Sequence, residues 1–329
     1  MSKDSTAAQG TRRSVENFRG DYQALADLLQ RSWSENSQQS LYYSPEFLQS
    51  FLTAPGASAS LQPSFYRDAE LVAFAAGFQR RVTYRGRQLN LATNTFLSVL
   101  PGLKKSGLGI VLWTELVKRI RAENFDGMIN FCVDGEPMNR MIEGSCQRLG
   151  LPVQRIFSVR YMSTLLKPAD FNGAAPSSTP AVNEFLELAN SPLSSQPLAR
   201  QWSAQEAEWQ LHRAGAVVAC SSNESRRGIL TGYIMSILDE KKTKVLLLED
   251  ILWHELQPEE RLRLLQQFLS QAVSQGAQMA TVPMLGYADL TAFKKTRFFP
   301  TRRVLHCYLT LFRDSLPIEA LPSMYLDVF

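Results

Sequence analysis

The spacing of apolar positions changes several times along the chain, and each change marks an element. Across 15–53 the spacing is helical. Tyr22, Leu25, Leu28 and Leu29 share one face, and Ser44-Pro45-Glu46 is a helix start ahead of Phe47, Leu48, Phe51 and Leu52. After a polar break at 54–60 the pattern becomes strand-like. Two long runs, Glu70 to Tyr84 and Gln88 to Leu100, flank Tyr84-Arg85-Gly86-Arg87, which predicts a hairpin. Pro101 stops the second run. A short glycine-bearing loop follows, and Trp113, Leu116, Val117 and Ile120 then recur at i, i+3, i+4 and i+7. Residues 128–133 are apolar on both faces, as in a buried parallel strand. Gly135-Glu136-Pro137 opens a further helix with Met138, Met141, Ile142, Cys146 and Leu149 inward. Gly150 ends it, and a strand follows over 153–163.

The stretch PADFNGAAPSSTP, 168–180, reads as a linker. Beyond it the same plan recurs: a helix over 202–212, strands at 216–220, 228–238 and 244–253, a helix over 258–276, a strand at 277–284, a short helix at 288–297 and a strand at 303–312. The organisation expected is a disordered tail at 1–14, one α/β (α+β) unit at 15–167, the linker, and a second such unit at 181–329. Each unit is a mixed, mostly antiparallel sheet flanked by helices.

The first half carries candidate chemistry at 97–121. Strand, glycine-bearing loop and helix make a phosphate-holding geometry, because loop amides and the free N–H groups of a helix start converge on an anion. Gly102 and Gly107 have Walker spacing, but Leu108-Gly109 stand where Lys-Ser belongs; Gly107 and Gly109 begin a dinucleotide loop that Leu112 breaks. The run Val99-Leu100-Pro101-Gly102-Leu103-Lys104-Lys105-Ser106-Gly107-Leu108-Gly109 resembles the acetyl-CoA loop of the GNAT superfamily of N-acetyltransferases, V-x-P-x-x-[RQ]-x-x-G-x-[GA]. Its one departure is Lys104 at the Arg/Gln position. Asn139 and Gly150 also match a helix pattern of that superfamily, with Cys146 in place of its Tyr and Leu151 in place of its Phe.

The resemblance implies two GNAT-like domains. Only the N-terminal copy keeps the loop, since Trp253 to Leu264 holds no glycine and two carboxylates at the helix start. It implies acetyl-CoA, or another acyl-CoA, as co-substrate. Leu97, Ser98 and Val99 would run beside the pantetheine arm, amides of Lys104, Lys105, Ser106, Gly107, Leu108, Gly109 and Ile110 would hold the pyrophosphate, and Asn139 would support the site. It implies direct transfer to an amine of a small molecule or peptide, with acetyl the expected group, and Tyr42 and Tyr43 as lining for the acceptor. The superfamily's Tyr acid and its frequent Glu base have no match here. Glu136 and Cys146 are the nearest substitutes, and each has an ordinary role beside that one, helix cap and packed core thiol respectively.

Composition narrows the class. The 329 residues are 45% hydrophobic and 20% charged, with net charge +4. No apolar run approaches the roughly 20 residues that span a bilayer. The start, MSKDSTAAQGTRRS, lacks an apolar signal core, so a cytoplasmic location is the expectation. Cys132, Cys146, Cys220 and Cys307 lack metal-ligand spacing, and the histidines form no ligand pair, so no metal is expected. From Gly77 to Arg121 nine basic residues face one acid, Glu115. That block suits the phosphates of CoA; RNA suits it less, because no nucleic-acid module accompanies it. Two alternatives stand beside the acyltransferase: an aminoacyl-tRNA-dependent transferase of the peptidoglycan-branching type, and a non-catalytic binding or scaffold protein.

Overall fold

In the computed structural model, residues 14–34, 40–171, 179–223, 226–238, 242–313 and 316–328 are described. The expected tail, apart from Ser14, and the middle of the expected linker, 172–178, lie outside them.

Strand β1 (Val15–Asn17) leads to α1 (Tyr22–Ser34), β2 (Ser40–Tyr42) and α2 (Pro45–Leu52). Strands β3 (Pro63–Arg67), β4 (Glu70–Tyr84) and β5 (Arg87–Val99) follow, then α3 (Leu108–Ala122), β6 (Gly127–Val133), α4 (Pro137–Arg148) and β7 (Val153–Leu165). The second half runs α5 (Val182–Asn190), β8 (Leu198–Arg200), α6 (Ala204–His212), β9 (Ala216–Asn223), β10 (Arg226–Leu238) and β11 (Lys242–Leu252). It ends with α7 (Pro258–Ser274), β12 (Met279–Met284), α8 (Thr291–Lys295) and β13 (Phe299–Leu311). The result is a mixed α/β fold with a large, mostly antiparallel sheet flanked by helices. Two differences from the sequence expectation stand out. Val15–Asn17 is a strand paired to β3 rather than the start of a helix, and α5 was not foreseen.

The two halves follow one plan. An antiparallel pair, β4 and β5, leads through α3 to β6, which lies parallel to β5; β10 and β11 lead through α7 to β12, parallel to β11. They do not form two separate sheets. Strand β13 inserts between β6 and β7, and β7 pairs on its other side with β12, so each half contributes its last strand to the other's neighbourhood. The composition break at 168–180 therefore separates stretches of chain and not sheets.

The hairpin at 84–87 forms because Arg85 (φ 49°) and Gly86 (φ 79°) take the left-handed pair that a tight turn between twisted strands needs. Helix α2 starts as expected, the Ser44 hydroxyl accepting from the Phe47 N–H at 3.2 Å with Pro45 in the first turn. Its apolar face joins that of α1 on the sheet, in a core with Phe74, Phe78, Trp113 and Leu116. No helix among the described residues is long and apolar enough to cross a membrane.

Candidate functional site

The site begins where β5 and β6 part. Their parallel pairing runs from Leu91↔Gly127 to Asn94↔Asn130 and stops, while both strands continue. Two buried hydrogen bonds fix that point: Asn94 Nδ2 donates to Asn130 Oδ1 at 2.9 Å, and Trp113 Nε1 donates to the same oxygen at 3.2 Å. On its other edge β5 bulges. Phe74 opposes Ser98 and Ala76 opposes Thr95, so Phe96 and Leu97 together face Ala75. Phe96 sits at φ 56°, a left-handed conformation costing a side-chain-bearing residue about 1–2 kcal/mol. Its ring is held edge-on by Tyr43 (5.3 Å) and Phe51 (5.7 Å). A bulge leaves one residue out of the ladder, so a peptide group here is free to pair with something else.

The gap left by the parting strands is a chamber of about 410 Å³, within the range of about 300–1,000 Å³ usual for ligand sites. Asn94 to Leu97 form one wall. Tyr43, Phe47 and Phe51 form a second, Phe131 and Val133 a third, and Tyr161, Tyr233 and Leu247 close the side toward the second half. Most of this lining is apolar. Arg303 is the sole charged side chain among the described lining residues, and none of them is a carboxylate. Burial pushes the Tyr161 phenol up to about 12 and raises that of Tyr43, with the charge of Arg303 partly opposing both.

The loop expected to hold phosphate lies at one end of β5. Residues Pro101–Ser106 wind into a tight turn, and Gly107 (φ 80°) turns the chain into α3. A Cβ at Gly107 would meet nothing within 4 Å, and one at Gly109 only Val99 Cγ2 at 3.7 Å, so both positions are open toward a ligand. The first turn of α3 holds no acid. Of its leading N–H groups, that of Leu108 donates to Ser106 Oγ at 3.4 Å and that of Ile110 to the Gly107 carbonyl at 3.0 Å. An acid-free helix start behind a glycine is compatible with a pyrophosphate. The lysines divide: Lys104 Nζ donates to the Ser32 carbonyl at 2.8 Å and so ties the loop to α1, whereas Lys105 is exposed. Ser106 Oγ closes its own turn onto the Leu103 carbonyl at 2.6 Å. Leu97 lines the chamber. Ser98 does not reach it, because its buried hydroxyl accepts from Trp33 Nε1 at 2.7 Å, and Val99 is a core residue. Ile110 is exposed beside Val111 at the start of α3.

The other expected residues are scattered. Tyr43 is in the chamber wall. Tyr42 lies on β2 with the Lys242 ammonium over its ring at 4.2 Å. Asn139 Nδ2 donates to the carbonyls of Val133 (2.7 Å) and Glu136 (3.0 Å), fixing the turn between β6 and α4. Glu136 is the exposed N-cap residue of α4 and lies outside the chamber. Cys146 is fully buried against Thr310 Oγ1 at 3.6 Å, and burial raises its thiol pKa. The structure thus places Glu136 and Cys146 away from the chamber wall, the first because a cap position faces solvent and the second because the inner face of α4 packs on β6 and β7, with Cys146 against Thr310 of β13. The bulge at Phe96 and the cation at Arg303 were not foreseen: neither a positive φ at Phe nor a strand irregularity has a sequence marker.

The second half repeats the bulge and fills it. Thr231 opposes Asp250 and Gly232 opposes Leu248, leaving Glu249 as the extra residue of β11. The Glu249 carboxylate is buried, pairs with Arg213 and accepts from Gln210 Nε2 at 2.7 Å. Helix α7 opens with Glu259 and Glu260. A pyrophosphate would be repelled there. Burial pushes Glu249 up from 4.5 to about 7 despite Arg213. The folded protein therefore holds this proton more tightly than the unfolded chain does. The resulting stabilisation is full below pH 4.5 and is lost as pH rises through about 7. Melting temperatures of the wild type should fall across that window, and Glu249→Gln should flatten the slope. An unchanged slope in the variant would place the titrating group elsewhere.

A sequence profile described as myristoyl-CoA:protein N-myristoyltransferase, N-terminal domain, matches residues 14–129. No curated protein matches the chain. Among solved structures, Saccharomyces cerevisiae N-myristoyltransferase with bound myristoyl-CoA is similar at TM-score 0.73 and 15% identity, over 97% of this chain and 85% of that one. A second structure of that yeast enzyme with bound myristoyl-CoA gives TM-score 0.73, 15% identity, and 95% and 86% coverage. A GCN5-related N-acetyltransferase from Kribbella flavida gives TM-score 0.51 and 12% identity over 91% and 70%. At these identities the likeness is one of fold, and the fold expected from the 99–109 loop is the one found.

Proposed function

We propose that the chain is an acyl-CoA-dependent N-acyltransferase whose acyl group is longer than acetyl. The observation that carries this reading is the apolar chamber beside the Phe96 bulge, at the end of a strand that runs into a phosphate-competent loop. An acetyl group would leave most of about 410 Å³ unfilled. The similar structures that hold myristoyl-CoA, and the profile match over 14–129, support a long chain.

In this reading the amides from Lys104 to Ile110 hold the pyrophosphate, Lys105 adds charge, and the pantetheine arm enters between the parted strands. The free peptide group at Phe96–Leu97 is placed to donate to the thioester carbonyl oxygen, where negative charge grows. The amine nitrogen attacks the carbonyl carbon, the C–N bond forms, the C–S bond breaks, and CoA leaves as a thiolate that takes up the amine's proton. The described chamber wall offers no carboxylate base. It works on the amine in another way. An apolar wall and a nearby cation both disfavour ammonium, so the neutral nucleophile is favoured without a dedicated acceptor. The acceptor in this reading is the amine of a small molecule or a peptide, and positioning supplies most of the rate.

Calorimetry with CoA thioesters of increasing length tests this. Affinity should rise about fourfold per added methylene, ~0.8 kcal/mol each, until the chamber is full. Equal affinity for acetyl- and tetradecanoyl-CoA would exclude the chamber as an acyl site.

A further inference from the structure

A second cavity adjoins the chamber and shares Ser163 and Met279 with it. It is open, about 600 Å³, and lies along the end of β7, the start of β13 and the end of α8. Three cations line it, Lys167, Lys295 and Arg297, with no carboxylate among its lining residues. Two large apolar side chains, Leu165 (71% exposed) and Phe299 (65% exposed), stand in the same groove. None of the three cations forms an ion pair with a described residue. Such a combination is unfavourable when left bare: like charges repel, and the apolar surface is wet.

Arg303 continues the basic line into the chamber. Strand β13 bulges between Pro300, opposite Met162, and Val304, opposite Arg160, so that 301–303 face Tyr161 alone. That bulge brings Arg303 to the chamber mouth, beside the Tyr43 and Tyr161 phenols. Thr301 Oγ1, buried and without a described partner, lines the same wall.

We infer that the acceptor is an acidic peptide segment, its amine in the chamber at Phe96 and its following carboxylates along Arg303, Lys167, Lys295 and Arg297. This deepens, and rests on, the acyltransferase reading. The groove's volume of about 600 Å³ and its two exposed apolar side chains suit a chain of residues better than a compact amine. Its position, continuous with the chamber and between the end of β7 and the start of β13, suits an acceptor better than the CoA, whose loop lies at the start of α3.

Three octapeptides sharing one N-terminal residue and followed by acidic, neutral or basic residues separate the outcomes, with tetradecanoyl-CoA as donor and thiol release as readout. The acidic peptide should show a KM at least about tenfold below the neutral one at low salt, the sum of several screened surface pairs. High salt should shrink the difference. The triple variant Lys167→Gln/Lys295→Gln/Arg297→Gln should remove the preference, by raising the KM of the acidic peptide toward that of the neutral one, while tetradecanoyl-CoA affinity stays unchanged. Fluorescence anisotropy of a labelled acidic peptide reads the groove without catalysis. A wild type that releases thiol but treats the peptides alike, or a triple variant that keeps the preference, overturns the inference and leaves the acyltransferase reading intact. A protein that binds acidic peptide but neither binds nor cleaves any CoA thioester overturns that reading instead.

Discussion

Replacing Asp327 with alanine should destabilise the protein by about 3–5 kcal/mol, the usual cost of breaking a buried pair from one side. Asp327 Oδ2 accepts from Arg80 Nε at 2.7 Å and forms an ion pair with Arg200 Nη1 at 3.0 Å, and both arginine side chains are 4% exposed. Arg200 has a second partner, Glu206 at 3.2 Å, and stacks on Trp202. Arg80 has no other carboxylate at ion-pair distance among the described residues, so its charge would be left buried. Around this pair Tyr325 donates to Asp250 Oδ1 at 2.8 Å and accepts from Trp202 Nε1 at 2.8 Å. The cluster pins residues 324–328, and Val328 reaches the chamber wall. Loss of Asp327 should therefore lower both the unfolding free energy and the affinity for long-chain CoA thioesters. Chemical denaturation gives the first and calorimetry the second. Burial pushes the Asp327 carboxyl up, and Arg200 and Arg80 outweigh it, so its folded value lies below the unfolded one. Its stabilisation is present above the ordinary carboxylate range and is lost on acidification, opposite in sign to that of Glu249. A variant as stable as the wild type at neutral pH would mean that the arginines find other partners.

Gly107→Glu should weaken CoA-thioester binding by up to about thirtyfold, ~2 kcal/mol. The side chain at φ 80° costs about 1–2 kcal/mol of backbone strain, which lowers stability in the free and bound states alike. The loss of affinity is electrostatic. A carboxylate at the start of α3 opposes the helix dipole's attraction for an anion, by up to about 2 kcal/mol. Nothing lies within 4 Å of the added Cβ, so the fold itself should persist, and unfolding curves should show only the backbone cost. Gly107→Ala isolates that cost and should lose much less affinity. If Gly107→Glu binds as tightly as the wild type, the 101–110 loop is not where the pyrophosphate sits.

These expectations rest on parts of the protein that were not equally visible in its sequence. The loop at 99–109 was legible because Pro101, Gly107 and Gly109 impose their backbone shapes locally, whatever surrounds them. The 84–87 hairpin was legible for the same reason. Apart from Tyr43 and Leu97, which the family resemblance implied, chamber residues were visible only as apolar positions on α2 and β5, since periodicity separates inside from outside and cannot tell a packed wall from an empty one. Phe96 carries no mark of its left-handed backbone, and the rings that pack edge-on against it, Tyr43 and Phe51, come from another part of the chain. Arg303 carries no sequence mark of the register slip against Tyr161 that brings it to the site. Glu136 is among the acids nearest in sequence to the superfamily's missing base, and Cys146 stands at the position of its Tyr; α4 turns the first to solvent and the second to the core.

The placing of β13 between β6 and β7 sets the order in which this molecule can be made. During synthesis β6 emerges with an open edge, and its partner, paired from Leu305↔Val133 to Leu311↔Gly127, is coded more than 170 residues later. Contacts of such sequence separation slow folding. Until they form, the edge of β6 is a template for unwanted pairing. Strand β7 waits likewise for β12 and β13. Expression of 14–167 alone should therefore give an aggregating product rather than a small active domain, and refolding of the full chain should be single-phase but slow. The same interleaving means that the chamber, walled from both halves, can close only once the last strand is in place.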